Sequence, residues 1–330
     1  MNKQMRLIQM AIDARKDLLD RDEHDALRLF NGFLEGDPSL VVDLYGRTAV
    51  VQDYATPEGT RKAWIADLRK VLLAAIPRIR TMVVKVRKSS SRSSRNGVLV
   101  YGTEMDRWIR EHDVRYALDL TMHQDSSYYL DMRHLRHWII GHLTGKTVLN
   151  LFAYTGSLGA AALAGGARRV VHLDRKREFL NVAKTTYSLN GFPIDKQDFR
   201  TEDFFVGVGR LKRAGVLFDC VILDPPFFSE TAKGRVDLSD SRRLINKVRP
   251  LVADHGILIA VNNALFVSGK DYMATLNALC EDGYLAVEDR IPVPEDVTGF
   301  PETCHGDPVS DPDPFNHATK IAIIRVKRKP

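Results

Sequence analysis

Within twelve positions, Val148 to Gly159, this chain passes from strand chemistry to helix chemistry through a glycine turn: Val-Leu-Asn-Leu-Phe-Ala-Tyr-Thr-Gly-Ser-Leu-Gly, followed by the small residues Ala160 to Gly166. A short apolar run predicts a buried strand, and the small residues predict a helix packed close to it. His172-Leu173-Asp174 ends the next apolar run, with Asp174 eighteen residues beyond Gly156. At that spacing a carboxylate on the second strand of a doubly wound sheet reaches a ribose hydroxyl. A dinucleotide loop needs G-x-G-x-x-G to bring backbone against a pyrophosphate. Here only Gly156 and Gly159 stand, preceded by bulky Phe152 and Tyr154, so the turn suits a nucleoside ligand without phosphates.

A later run, Asp224-Pro225-Pro226-Phe227-Phe228, follows the apolar stretch Phe218–Leu223. Proline fixes φ and gives a sheet no donor, so the pair stops the strand abruptly. The Asp224 and Pro225 carbonyls are then expected to face the crevice beyond the strand ends, where open α/β sheets bind ligands. Any α/β domain has strand–turn–helix units with glycine. The Asp-Pro-Pro-aromatic run narrows the expectation to a domain that binds S-adenosylmethionine (SAM) as a methyl donor.

The 330 residues suffice for two domains, each with its own core. No apolar run approaches the ~20 residues of a membrane span. The opening Met1-Asn2-Lys3-Gln4-Met5-Arg6 carries no export signal. Cys220, Cys280 and Cys304 are too widely spaced for a metal-ligand pattern. A cytoplasmic protein without metal is the expectation. The net charge of +6 is uneven: Arg61 to Arg95 holds eleven Lys/Arg and one acid, Asp67. That stretch ends in a polar basic segment containing Lys85, Arg87, Lys88, Arg92 and Arg95. Clustered cations among serines suit a polyanion such as RNA, and these five are expected to contact its phosphates. The competing expectation is a solvated loop.

Residues 3–20 read as one amphipathic helix with Leu7, Met10, Ala11, Ala14, Leu18 and Leu19 on one side. Strands are expected on both sides of Tyr45-Gly46-Arg47, a helix over Glu58–Ala75, a strand at Thr81–Val86, and two or three short strands in Val98–Leu120. These make a smaller N-terminal α+β domain, residues 1–120, for RNA or other substrate. Residues 121–330 alternate strands (147–151, 169–173, 197–202, 218–223, 256–262) with helices (156–165, 176–189, 203–213, 239–253, 269–280), after a helix at Asp131–Leu143. Alternation implies a parallel sheet. Gly283–Ile291 and Lys320–Lys327 break it, as an expected antiparallel pair at the sheet edge. The predicted class is α/β, a Rossmann-like class I SAM methyltransferase with a seven-stranded sheet.

A wider set of residues carries a family likeness. Asn31-Gly32-x(3)-Gly36, Val41-Val42-Asp43-x-Tyr45-Gly46, Ser127-Tyr128-Tyr129-Leu130-Asp131-x-Arg133, Leu149-Asn150-x-Phe152-x-Tyr154-Thr155-Gly156 and Asp224-Pro225-Pro226 resemble the bacterial 23S rRNA large-subunit methyltransferases. One branch of that family methylates cytosine C5 and another guanine N7. The resemblance implies SAM as cofactor and ribosomal RNA, or a ribosome-assembly intermediate, as partner. The cytosine branch begins with a PUA domain, which this chain is expected to lack because its N-terminal stretch is short. That branch also carries Ser-Cys-Ser at the fifth strand end, where this chain has Ala260-Val261-Asn262-Asn263-Ala264. The guanine branch is the better match, with Asn-Asn there and an aromatic-Ser pair like Phe228-Ser229.

The likeness and the local chemistry assign candidate roles. Asn150, Phe152, Tyr154, Thr155 and Gly156 are expected around the methionine part of SAM, whose carboxylate suits the free N–H groups of the following helix. Arg133 is a candidate for the same carboxylate, or an ion-pair partner of Asp131 or Asp174. Asp174 is expected on the ribose hydroxyls and Asp203 on the adenine amine; each could instead cap its helix. Asp224, Pro225, Phe227 and Asn262 are the catalytic candidates, with Phe228 as a platform for a flipped base. Cys220 reads as core filler. Cytosine C5 needs a thiolate adding at C6, whereas guanine N7 exposes a lone pair, so nitrogen is the expected target. Alternatives are a cytosine enzyme using Cys304, a non-catalytic RNA-binding or assembly factor that keeps a SAM pocket, and a small-molecule methyltransferase.

Overall fold

The computed structural model describes residues 2–20, 22–55, 62–226, 228–231, 234–237 and 240–328, without the side chains of 62, 228–231 and 234–237. It divides into two compact units, Met1–Asp131 with Pro294–Asp307, and Met132–Val293 with Pro308–Pro330. The junction thus lies at 131/132 rather than at 120/121, and a late segment belongs to the first unit.

In chain order the first unit holds α1 (Lys3–Ala14), α2 (Lys16–Leu19), β1 (Ala26–Asn31), β2 (Leu40–Tyr45), β3 (Thr48–Asp53), α3 (Lys62–Ala75), β4 (Thr81–Val86), α4 (Arg92–Asn96), β5 (Val98–Tyr101), β6 (Trp108–Glu111) and β7 (Val114–Ala117). β1 to β5 form one sheet in sequence order, and β6 and β7 pair as a hairpin. The Asn2 side chain caps α1 by accepting from the Met5 N–H at 2.9 Å. Met5, Ile8, Ala11 and Ile12 are the buried face, and Met10 is exposed, so the helix is rotated from the face read in the sequence. The expected single helix also breaks at Arg15, whose guanidinium is fully buried.

Arg15 explains the late segment. Its Nη1 donates to Glu35 Oε1 at 2.9 Å and its Nη2 donates to Glu35 Oε2 and to the Asp296 carbonyl. Asn31 Nδ2 donates to the Val297 carbonyl at 2.7 Å, the Arg28 N–H to Asp296 Oδ2 at 2.9 Å, and Thr303 Oγ1 to Glu35. The Arg15 guanidinium also lies 5.1 Å from the Phe300 ring centroid. A buried charge needs this density of partners. Asn31 and Glu35, within the Asn31–Gly36 motif, are thus the receptor for residues 294–307.

The second unit holds α5 (Arg133–His142), β8 (Thr147–Leu151), α6 (Ser157–Ala164), β9 (Arg169–Asp174), α7 (Arg177–Leu189), β10 (Phe199–Thr201), α8 (Phe204–Arg213), β11 (Phe218–Leu223), the hairpin β12 (Phe228–Thr231) and β13 (Gly234–Asp237), α9 (Ser241–Val248), β14 (Val252–Asn262), α10 (Gly269–Cys280), β15 (Leu285–Ile291) and β16 (Lys320–Val326); the short α11 (Glu295–Thr298) lies in the late segment of the first unit. The seven-stranded order is β10-β9-β8-β11-β14-β16-β15, with β16 antiparallel to both its neighbours. This is the Rossmann-like sheet with one reversed strand. Side chains alternate between two cores. Leu149, Leu151, Val221 and Leu223 meet α8, α9 and α10, while Val148, Cys220 and Ile222 meet α5 and α6. Helix cover on both faces makes the strands read as continuous apolar runs. α9 stops at Val248, short of the expected 253, because Pro250 cannot continue it.

Candidate cofactor and substrate site

The strand order reverses between β8 and β11, and ligands of such sheets bind beyond the strand ends at that switch point. Two turns therefore define the site: 152–156 after β8 and 224–226 after β11. In the first, Phe152, Tyr154 and Gly156 have φ of 54°, 49° and 75°. Left-handed backbone is a genuine outlier at an aromatic residue and persists only where surroundings enforce it. Here the Ala153 N–H donates to the Leu173 carbonyl at 3.1 Å and the Tyr154 N–H to Asp174 Oδ2 at 2.9 Å. The Phe152 ring stacks on Phe204 at 4.6 Å and the Tyr154 ring meets Phe179 edge-on at 4.5 Å, so both rings go to the walls. Gly156 is the N-cap of α6 and offers no side chain to its first N–H groups, which leaves them for an external anion.

Glycine at 159 has a different cause. A Cβ there would lie 2.3 Å from His172 Cε1, so its absence lets α6 close on β9. His172 pairs in register with Asn150 on the adjacent strand, and Asn150 Nδ2 donates to His172 Nδ1 at 3.3 Å. The Nε2–H then donates to the Tyr187 hydroxyl at 2.7 Å. Complete burial depresses the His172 pKa to about 3, keeping the ring neutral. Asn150 is buried beneath the turn, so its side chain fastens the strands instead of lining open crevice, a correction to the sequence expectation. Thr155 is likewise buried, and Arg133 opens α5 as a half-buried side chain.

Asp174 ends β9, with Oδ1 accepting from the Lys176 N–H at 2.9 Å and Oδ2 from Tyr154. Burial raises its pKa against the lowering by those N–H groups. Asp203 caps α8, its Oδ1 accepting from the Phe205 N–H at 2.9 Å and the Val206 N–H at 3.3 Å.

After β11, Asp224 is half-buried and Pro225 buried. The Pro225 carbonyl accepts from Asn263 Nδ2 at 3.4 Å. Asn262, the residue expected at this place, turns away: its Nδ2 donates to Ser241 Oγ at 3.0 Å and its Oδ1 accepts from the Ala264 N–H at 3.1 Å. Asn263 is thus the strand-end amide that meets the Asp-Pro-Pro turn, and its sequence signal was its place as the second member of the Asn-Asn pair. The same strand end is held by Lys320, fully buried, whose Nζ donates to the Ala264 carbonyl at 3.1 Å and to Ala318. Burial lowers its pKa to about 8. Phe227 lies outside the described residues, and Phe228 is described as backbone only, opening β12.

The basic segment departs from expectation. Lys85 is fully buried and its Nζ donates to the carbonyls of Asn96 (2.8 Å), His123 (3.2 Å) and Asp125 (2.9 Å), so it has no reach to a phosphate. Arg87 donates to the Gln124 carbonyl, pairs with Asp125 at 3.6 Å and lies over the Tyr54 ring. Arg95 donates to the Ser89 and Ser90 carbonyls, closing α4. Only Lys88 and Arg92 of the five are exposed. Cys220 is buried in the sheet, which raises its thiol pKa, and burial also raises Cys280. Cys304 donates to the Thr298 carbonyl at 3.6 Å and is raised by burial and by Glu35. Among the described residues no group of three His, Cys, Asp or Glu could hold a metal ion, and no helix is long and apolar enough to cross a membrane.

A family model described as S-adenosylmethionine-dependent methyltransferase matches residues 63–305. The chain belongs to this family. Its fold is that of SMU.776, provisionally named a methyltransferase and solved with SAH, at TM-score 0.84 and 22% identity over 98% of this chain and 80% of that one. The ribosomal RNA large subunit methyltransferase I of Vibrio campbellii is 33% identical over 224 residues, covering 66% of this chain and 55% of that protein. YwbD of Bacillus subtilis, provisionally named a ribosomal RNA large subunit methyltransferase, is 28% identical over 306 residues, 88% of this chain and 76% of that protein. The enzyme is a SAM-dependent methyltransferase. The chain spans 55–65% of the length of the relatives named methyltransferase I.

Proposed function

We propose that this methyltransferase acts on large-subunit ribosomal RNA and methylates a base nitrogen, guanine N7 first. The names of the Vibrio and Bacillus relatives support the substrate class. The observation that carries the choice of atom is the state of the thiols. Cys220 is sealed in the sheet, Cys280 ends α10, and the Cys304 thiol is bonded and held protonated. C5 transfer needs a thiolate.

The residues of the two turns fit the cofactor. The uncapped α6 N-terminus, with Arg133 at the start of α5, suits the methionine carboxylate. Asp174 keeps lone pairs for ribose hydroxyls, and Asp203 Oδ2, bonded by no described residue, suits the adenine amine. SAM supplies an electrophilic methyl on a sulfonium. Guanine N7 brings its own lone pair, so the protein needs to align the base and remove no proton. Asp224, the Pro225 carbonyl and Asn263 take that task, with the Asp224 carboxylate offsetting the positive charge that N7 acquires. Phe227 and Phe228 remain the candidates for stacking the base.

Nucleotide mapping of rRNA from a strain lacking this gene tests the reading, with complementation by a variant carrying Cys220→Ala, Cys280→Ser and Cys304→Ser. One N7-methylguanine should vanish and return with the folded thiol-free variant. A missing 5-methylcytosine that returns only with the cysteines intact would replace this reading with the cytosine one.

A further inference from the structure

Lys85, Arg87 and Arg95 are committed to internal partners, which leaves only Lys88 and Arg92 of the expected patch exposed, and the second unit carries a further cationic groove. α8 and α9 lie side by side, Lys212 Nζ donating to the Lys247 carbonyl at 3.4 Å and the Arg243 guanidinium lying 5.3 Å from the Phe205 ring centroid. Phe205 and Lys212 are seven apart on α8, and Arg243 and Lys247 four apart on α9, so each pair shares one helix face. Gly209 lies on the same α8 face between Phe205 and Lys212. A Cβ there would meet only Arg213 Nη1, at 3.5 Å, so packing does not demand glycine, although glycine weakens a helix interior. Its effect is an open floor between the aromatic and the lysine.

No described carboxylate balances these charges: none pairs with Lys212, Arg213, Arg242, Arg243 or Lys247; Glu202 pairs with Arg210, Asp282 pairs with Arg249, and Asp240 accepts from the Arg243 N–H as the α9 cap. Cations in the last turn of α8 suit its dipole, but Arg242 and Arg243 stand in the first turn of α9, where cations are disfavoured. Burial, with the charge of Lys247 nearby, lowers the Lys212 pKa. Phe205 of this face meets Phe204 at 5.0 Å, and Phe204 in turn stacks on Phe152 of the cofactor turn.

We infer that the α8–α9 groove, floored by Gly209 and rimmed by Lys212, Arg213, Arg243 and Lys247, holds backbone phosphates of the substrate RNA. This rests on RNA being the substrate. Clustered unpaired cations facing an open floor match successive phosphates, which fix register without reading sequence.

The test is the salt dependence of RNA binding by the full chain, using large-subunit rRNA fragments as probe. Lys212→Gln, Arg213→Gln, Arg243→Gln and Lys247→Gln together should lower the slope of log K against log salt by ~0.7–0.9 for each phosphate no longer held. SAM affinity should not change. Lys146→Gln with Arg168→Gln, just before the N-terminal ends of β8 and β9, removes two charges as a control and should keep the wild-type slope. Gly209→Glu fills the groove with an anion while improving helix propensity, so RNA affinity should fall without a lower unfolding temperature. A quadruple variant with the wild-type slope overturns the groove while leaving the RNA reading intact. A wild-type chain that binds no rRNA overturns both.

Discussion

At the scale of single residues, two side chains at the end of β9 split the work between ligand and scaffold. Asp174 fastens the turn through Tyr154 and is the residue proposed for the ribose. Asp174→Ala should weaken SAM by ~1–3 kcal/mol, the cost of leaving polar groups without their acceptor, as calorimetry would show; unchanged affinity would remove it from the site. His172 is the scaffold half. Its depressed pKa, about 3 against 6.5 for a free histidine, means that the unfolded chain binds more protons between those values. Stability therefore rises with pH across that window and falls on acidification. The wild type should lose up to ~1.4 kcal/mol per pH unit more than a His172→Gln variant between pH 6 and 4, measured by urea unfolding. Parallel pH profiles would show that the imidazole titrates freely.

At the scale of elements, the β8–α6 turn depends on how near the helix comes to the sheet. Gly159→Ala should destabilise the chain by ~1–3 kcal/mol through overpacking against His172. SAM binding should weaken with it, because the α6 N-terminus and Asp174 must keep their spacing; a thermal melt at the wild-type temperature would show that the helix can shift. The sequence made this element legible, since apolar run, glycines and distant aspartate are local signals. It did not show why each residue stands there. Asn150 read as ligand-facing and Gly159 as part of the turn, yet both serve His172, a meeting that exists only once β8 and β9 pair. The same limit hid Asn263 behind Asn262, because which of two adjacent amides turns toward Pro225 depends on strand alternation and on Ser241.

At the scale of the whole molecule, the seven-stranded sheet was legible because its central strands are buried on both faces and most strands alternate with helices. β1 is harder to read: Leu27, Leu29 and Phe30 carry a strand pattern, but the run is short and lies between charged residues. The basic segment misled because lysines are rarely buried, and the three carbonyls that hold Lys85 meet only in the folded unit. The fate of residues 294–307 had no local signal at all, since their partners Arg15, Asn31 and Glu35 lie more than 260 residues away in sequence.

That late segment makes the protein a natural candidate for splitting. A chain cut between 131 and 132 yields two fragments, and the second carries the piece that completes the first. Expressed together, 1–131 and 132–330 should reassemble and co-elute, because Asp296 and Thr303 still seek the Arg15–Glu35 pair. Arg15→Met should abolish that reunion, since losing one partner of a buried ion pair costs ~3–5 kcal/mol. Fragments that elute separately with Arg15 intact would show that the network is too weak to work without a covalent tether. If they do reunite, the late segment acts as a noncovalent clasp between two separately made halves.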